Sequence, residues 1–149
     1  MKTQDLIEKL PYSEPFLFVN EILSVSTEKI TGTYTFRRDA YFYEGHFKND
    51  PVTPGVILTE CMAQIGLVCF GIFLLNEEQV SENTKFVMSS TEIDFYRPIF
   101  PDEKVKVISE KIYFRFNKLK CKVKMLNIKD EIVAQGTISG MILKETVQP

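Results

Sequence analysis

The stretch that decides the fold is GVILTECMAQIGLVCFGIFLL, Gly55 to Leu75. It is apolar nearly all round, and a helix with no polar face is buried on every side. At 1.5 Å per residue it would run roughly 30 Å. Its start is marked by Thr53, a good N-cap, and Pro54, which suits the first helical position. Something must wrap such a helix, and the flanking sequence supplies strands. Downstream, the segments Lys85 to Ser90, Glu92 to Tyr96, Lys104 to Phe116, Lys118 to Ile128 and Glu131 to Leu143 read as strands. Pro98 and Pro101, then Asn117, then Asn127, Lys129 and Asp130 mark turns between them. Upstream, Thr3 to Leu10 reads as a short helix stopped by Pro11. Phe16 to Ser26 reads as a strand, and Ile30 to Phe36 alternates apolar residues or Gly with Thr, which is period 2. Asn76 to Thr84 reads as a polar connection. The expected architecture is α+β, one domain over 1–149, with a curved antiparallel sheet around one long buried helix.

Composition narrows the function classes. The 149 residues are 44% hydrophobic and 26% charged, with no low-complexity segment, so disorder and coiled coil are excluded. A net charge of −2 argues against a general nucleic-acid binder. Twelve Phe and six Tyr with no Trp suit a strand-rich core or a site for a lipid-like ligand. Cys61, Cys69 and Cys121 fit no zinc spacing and read as reduced core thiols, which points to the cytoplasm. The opening MKTQDLIEKLPYSEP has no signal-peptide core. The uncharged run from Cys61 to Asn76 is shorter than a membrane span needs, so no span is expected.

The candidate chemistry sits where a loop meets the helix. Residues Arg37 to Pro54 form an aromatic, turn-rich segment, and long ordered loops in compact domains tend to be functional. It holds His46, the single histidine. Glu60 is the sole charge between Asp50 and Glu77, and burying it raises its pKa toward a protonated acid. One base and one acid are the minimal kit for eliminating water across two carbons. Gln64, four residues on, shares the face of Glu60 and can orient its carboxyl. The helix N-terminus offers backbone N–H groups at Gly55 and Val56 as oxyanion donors. Each feature has a plainer reading: a loop histidine, a buried acid paired elsewhere, a glycine that permits close packing.

In order along the chain stand Leu10-Pro11-Tyr12, Pro15-Phe16-Leu17-Phe18-Val19, Gly45-His46-Phe47, Pro51-Val52-Thr53-Pro54-Gly55-Val56, Glu60-Cys61-Met62-Ala63-Gln64 and Phe95-Tyr96-Arg97-Pro98-Ile99. This set resembles the bacterial 3-hydroxyacyl-[acyl-carrier-protein] dehydratases of the hotdog fold, over about residues 10–143. The resemblance implies dehydration of a 3-hydroxyacyl thioester on acyl carrier protein to the trans-2-enoyl thioester. It implies His46 taking the C2 proton, Glu60 protonating the departing hydroxyl, and the Gly55 N–H polarising the thioester carbonyl. It implies a homodimer or trimer of dimers, with His46 of one subunit facing Glu60 of the other, and neither cofactor nor metal. Glutamate at position 60 resembles the plain dehydratase branch rather than the dehydratase-isomerases. A hotdog thioesterase and a non-catalytic subunit of a dehydratase hetero-oligomer are the alternatives. Three departures stand out: Tyr12-Ser13 replaces the usual His-Arg, Asn20-Glu21 replaces Asp-Arg, and Lys48 replaces a proline. They suggest a specialised branch, such as aryl polyene or flexirubin-type pigment synthesis, fed by a rigid conjugated or aryl-bearing chain.

Charge is unevenly spread. Residues 104–124 carry eight basic groups against Glu110, or +7, which leaves −9 on the rest of a chain whose net charge is −2. Lys118, Lys120, Lys122 and Lys124 alternate with apolar residues, so a strand puts them on one face. With Arg97 and Arg115 they form the candidate docking surface for an acidic carrier protein. The plainer reading is a solvated sheet face.

Overall fold

The computed structural model describes residues 2–75, 80 and 84–144. Most of the expected polar connection, 76–79 and 81–83, lies outside the described residues. A short helix α1 (Thr3–Glu8) leads into strands β1 (Glu21–Val25) and β2 (Lys29–Thr35). A 3-10 turn at Tyr41–Glu44 precedes the central helix, Gly55–Leu74. Then follow β3 (Thr84–Phe95), β4 (Lys104–Arg115), β5 (Lys118–Leu126) and β6 (Ile132–Lys144). The strands form one antiparallel six-stranded sheet in the order β1-β2-β4-β5-β6-β3. One sheet around one helix is the α+β arrangement the sequence implies.

Side-chain alternation explains the packing. On β5, Leu119, Cys121, Val123 and Met125 are buried, and the lysines between them point to the outer face. Val105, Val107 and Ser109 of β4 face inward beside them. The helix lies against this inner face, and every residue from Cys61 to Ile72 is buried. Close approach sets the spacing: a Cβ on Gly66 would stand 2.9 Å from the Ser109 Cβ. The Ser109 hydroxyl donates to the Gly66 carbonyl at 2.8 Å.

Five expectations need correction. The helix is not uniformly α: α2 (Gly55–Ala63) gives way to a π-helical segment, Gln64–Cys69, and then to α3 (Phe70–Leu74). At 20 residues and mean hydropathy 2.0 it is long and apolar enough to cross a membrane, because the apolar run extends N-terminally past Glu60. It is mostly buried within the protein, as a core helix is. Thr53 is not its N-cap. Pro54 takes that place, with its carbonyl accepting from the Ile57 and Leu58 N–H groups, while the Thr53 hydroxyl pairs with that of Tyr43. The strand expected over Phe16 to Ser26 shrinks to β1, because the backbone of residues 16–18 bonds to the Gln64 side chain instead of a neighbouring strand. The two strands expected over 85–96 are one, β3, with a bulge between Met88 and Ser90.

Candidate active site

The loop before α2 is tied down at each end of His46. The His46 N–H donates to the Phe42 carbonyl at 3.1 Å, and the Val52 N–H donates to the His46 carbonyl at 2.9 Å. Phe47 and Asp50 exchange backbone bonds and close the turn between them. Tyr43, buried below, holds Thr53 through its hydroxyl. These bonds fix the imidazole. Its Nδ1 lies 2.8 Å from the Val52 carbonyl oxygen. A carbonyl only accepts, so Nδ1 carries a proton, and the tautomer this selects for the uncharged ring leaves Nε2 as the accepting nitrogen. The ring stacks on Phe47 at 4.1 Å between centroids. A positioned imidazole whose Nε2 is the nitrogen free to accept is what a general base requires.

Glu60 lies in the second turn of α2, half-buried. The Gln64 Nε2 donates to its Oε2 at 3.1 Å and to the Phe16 carbonyl at 3.1 Å. The Gln64 Oε1 accepts the Phe18 N–H at 2.8 Å. Both amide hydrogens and the amide oxygen are used, so this fully buried side chain has one orientation. It ties the acid to the segment before β1, as the i,i+4 spacing implies. Burial pushes the Glu60 pKa above the ordinary carboxylate value, and the Gln64 hydrogen bond opposes that shift without cancelling it. Tyr12 lies beside this pair. Burial, then the Glu60 charge, push its phenol far above the usual range, so it stays neutral.

The helix N-terminus adds donors. Among the described residues, no hydrogen bond takes the N–H of Gly55 or Val56. Val56 is 77% exposed. Thr53, Gly55, Leu58, Phe95, Tyr96, Arg97 and Pro98 line a cavity of about 330 Å³ there. Gly55 lets the Phe95 ring pack close to this wall: a Cβ would stand 3.3 Å from it, and the ring would have to give by a few tenths of an ångström. The cavity is thus bordered by the helix start at Gly55 and by a tethered guanidinium: Arg97 donates to the Ile132 carbonyl at 2.9 Å and pairs with Glu131 at 3.4 Å.

The expected residues do not all meet. Glu60 and Gln64 are joined, but among the described residues no hydrogen bond or ion pair links His46 to Glu60 within one chain. Lys118, Lys120, Lys122 and Lys124 share the outer sheet face as expected, although Glu110 stands opposite Lys122. Arg115, over the Tyr113 ring, is opposite Lys118 at one end of β5, and Arg97 reaches Ile132 at the other. The three cysteines are buried and free, and burial raises all three thiol pKa values, Cys121 to about 11. No group of three or more metal-ligating side chains occurs among the described residues. Sequence reasoning missed Tyr43 and the backbone of Phe16 and Phe18. Their partners lie 10 to 48 positions away, so no local signal marks them.

Comparison with known proteins adds four findings. The model of the FabA-like domain matches residues 10–139. The 3-hydroxyacyl-[acyl-carrier-protein] dehydratase FabZ of Ehrlichia ruminantium is 32% identical over 143 residues, covering 95% of this chain and 96% of that one. A bifunctional enzyme LpxC/FabZ of Porphyromonas gingivalis is 37% identical over 109 residues, 69% of this chain, and the match spans only 22% of that longer protein. In structure, the dehydratase heterocomplex ApeI:P of Xenorhabdus doucetiae superposes with TM-score 0.78 at 12% identity, over 99% of this chain and 93% of that one.

Proposed function

The chain belongs to the FabA-like domain family, with the hotdog fold, and from that membership we propose that it dehydrates 3-hydroxyacyl chains borne on acyl carrier protein. The observation that carries the reading is the Glu60 carboxyl: half-buried, held by Gln64 and biased toward its protonated form. The His46 Nε2 takes the proton from C2 of the thioester. The electron pair of that C–H bond becomes the C2=C3 double bond. The C3–O bond breaks, and the hydroxyl leaves as water with the Glu60 proton. The Gly55 N–H, with that of Val56 beside it, offsets the negative charge that builds on the thioester oxygen in between. The products are the trans-2-enoyl thioester and water, and the His46 proton returns to Glu60 through solvent.

This chemistry needs His46 and Glu60 together, and a second copy supplies the missing member. The sheet has two edges, and β3 is the long one, with residues 87–92 exposed on both faces. An unpaired edge of this kind accepts another strand. Antiparallel pairing of two β3 strands continues the sheet and sets the two helices side by side, so that His46 of one copy faces Glu60 of the other. The enzyme is then a cytoplasmic homodimer or trimer of dimers, and the lysine face of β5 with Arg97 and Arg115 steers an acidic carrier.

The test is intact mass spectrometry of a carrier-linked 3-hydroxyacyl thioester after incubation with wild type and His46→Ala. A product lighter by one water, about 18 Da, that is absent with the variant is the expected result. Release of the free carrier thiol instead would identify a hydrolase and overturn the dehydratase reading.

A further inference from the structure

The peptide unit joining Val52 to Thr53 is engaged at both of its polar ends. Its carbonyl oxygen holds the His46 Nδ1 at 2.8 Å. Its N–H donates to the Ile99 carbonyl, also at 2.8 Å. Ile99 is fully buried and follows Pro98, which lines the cavity beside Gly55. One amide therefore connects the imidazole to the wall of that cavity. Hydrogen bonds in a chain polarise one another, so an amide whose N–H is engaged accepts more strongly at its oxygen. The bond to Ile99 thus strengthens the hold on Nδ1.

That hold works only while the amide keeps its orientation. A peptide plane turns about the dihedral angles on either side of it, here those of Val52 and Thr53. The Val52 side is tied, because its N–H donates to the His46 carbonyl at 2.9 Å. Thr53 precedes Pro54, which keeps it extended but leaves its φ a span of about 40° either way. Its side chain removes that freedom. The Thr53 hydroxyl meets the Tyr43 hydroxyl at 2.5 Å. Thr53 is 5% exposed and Tyr43 7%. Among the described residues, neither hydroxyl makes another hydrogen bond.

Tyr43 reaches Thr53 from the 3-10 turn, Tyr41–Glu44, whose Phe42 carbonyl accepts the His46 N–H at 3.1 Å. The pair of hydroxyls therefore spans the loop, from the turn that holds the His46 backbone to the amide that holds its ring. Stability alone does not call for it. Two apolar side chains of the same shapes, Phe and Val, would be nearly neutral in its place. We propose that Tyr43 and Thr53 are positioning residues: through the Val52–Thr53 amide they keep the His46 ring in the tautomer that leaves Nε2 free to accept. The Tyr43 hydroxyl is spent on Thr53, so it acts through the amide and not on the substrate. The inference rests on the general-base reading of His46 for its effect on turnover, but not for its effect on the resting ring.

His46 is the only histidine, so in untagged 15N-labelled protein its two ring nitrogens give the only imidazole signals. With the ring uncharged, their chemical shifts report the tautomer directly. Wild type should show one protonated nitrogen, Nδ1, and one bare nitrogen, Nε2. In Tyr43→Phe and in Thr53→Val the two shifts should move toward each other, as the tautomers mix. In each, kcat should fall about tenfold, with KM within about twofold of wild type. Because both residues act through one bond, the double variant should lose no more than either single one. Thr53→Ser keeps a hydroxyl and should recover most of the loss seen in Thr53→Val. Ring signals unchanged in both single variants, losses that multiply in the double variant, or a Thr53→Ser as slow as Thr53→Val would overturn the proposal, even if the thermal midpoint fell. If the ring signals shift as expected but wild type dehydrates no carrier-linked chain, the dehydratase reading falls and the positioning role stands.

Discussion

The central helix divides into two halves that obey different rules. In α2, Val56 faces solvent, Thr59 and Glu60 are half-buried, and Gly55 and Leu58 line a cavity. From Gln64 onward the helix is core: Ile65, Gly66, Leu67, Val68, Cys69 and Phe70 are all buried, and Gln64 spends every polar atom on fixed partners. Both halves are apolar in sequence. The difference lies in what surrounds them: the first turns meet the His46 loop and open space, and the last turns meet the inner face of β4 and β5. Activity and stability should therefore separate along one helix, with Gln64 at the boundary.

The largest expected effect is on activity in the first half. Glu60→Ala, like His46→Ala outside the helix, should lower turnover about a thousandfold in the dehydration assay and leave the thermal midpoint near that of wild type. Retention of more than a tenth of the activity would remove the acid role. The opposite pattern is expected in the second half. Phe70 is fully buried, and Phe70→Ala should cost about 3–5 kcal/mol by urea titration, with kcat per folded molecule retained. At the boundary, Gln64→Leu leaves the Phe18 N–H and Phe16 carbonyl unpaired and frees the Glu60 carboxyl. It should cost about 1–3 kcal/mol and also slow turnover, so a loss in only one of the two would move the boundary. The smallest effect is in pH dependence. The folded Glu60 pKa lies above its unfolded value, so the folded state holds its proton more tightly. That contribution is complete below the unfolded pKa and is lost as pH rises through the folded one. Urea midpoints between pH 4 and pH 8 should fall more for wild type than for Glu60→Gln. Parallel curves would contradict the shift.

The same contrast explains what could be read from sequence. The helix, the lysine-apolar alternation of β5 and the Glu60–Gln64 pair are local patterns, and each was legible because its periodicity equals its geometry. The rest depends on distant partners. Residues 16–18 look like a strand because they are apolar, yet their backbone bonds go to Gln64. Thr53 looks like a cap, but Tyr43 competes for its hydroxyl and wins. Phe86 and Ile93 both turn inward although they stand an odd number of residues apart, so the bulge in β3 is needed and the segment reads falsely as two strands. An apolar run carries no mark of a π-helical segment. His46 and Glu60 were legible as types and spacing, but not as neighbours, since within one chain no hydrogen bond or ion pair joins them.

That last point is the centre of the account, and subunit complementation tests it most directly. His46→Ala and Glu60→Ala, each inactive alone, are unfolded together, refolded as a mixture and assayed for water loss from a carrier-linked 3-hydroxyacyl thioester. If His46 of one copy works with Glu60 of the other, every mixed dimer holds one intact site, and activity should return to about a quarter of wild type. If each site lies within a single chain, no mixed dimer has an intact pair, and the mixture would stay as inactive as its components.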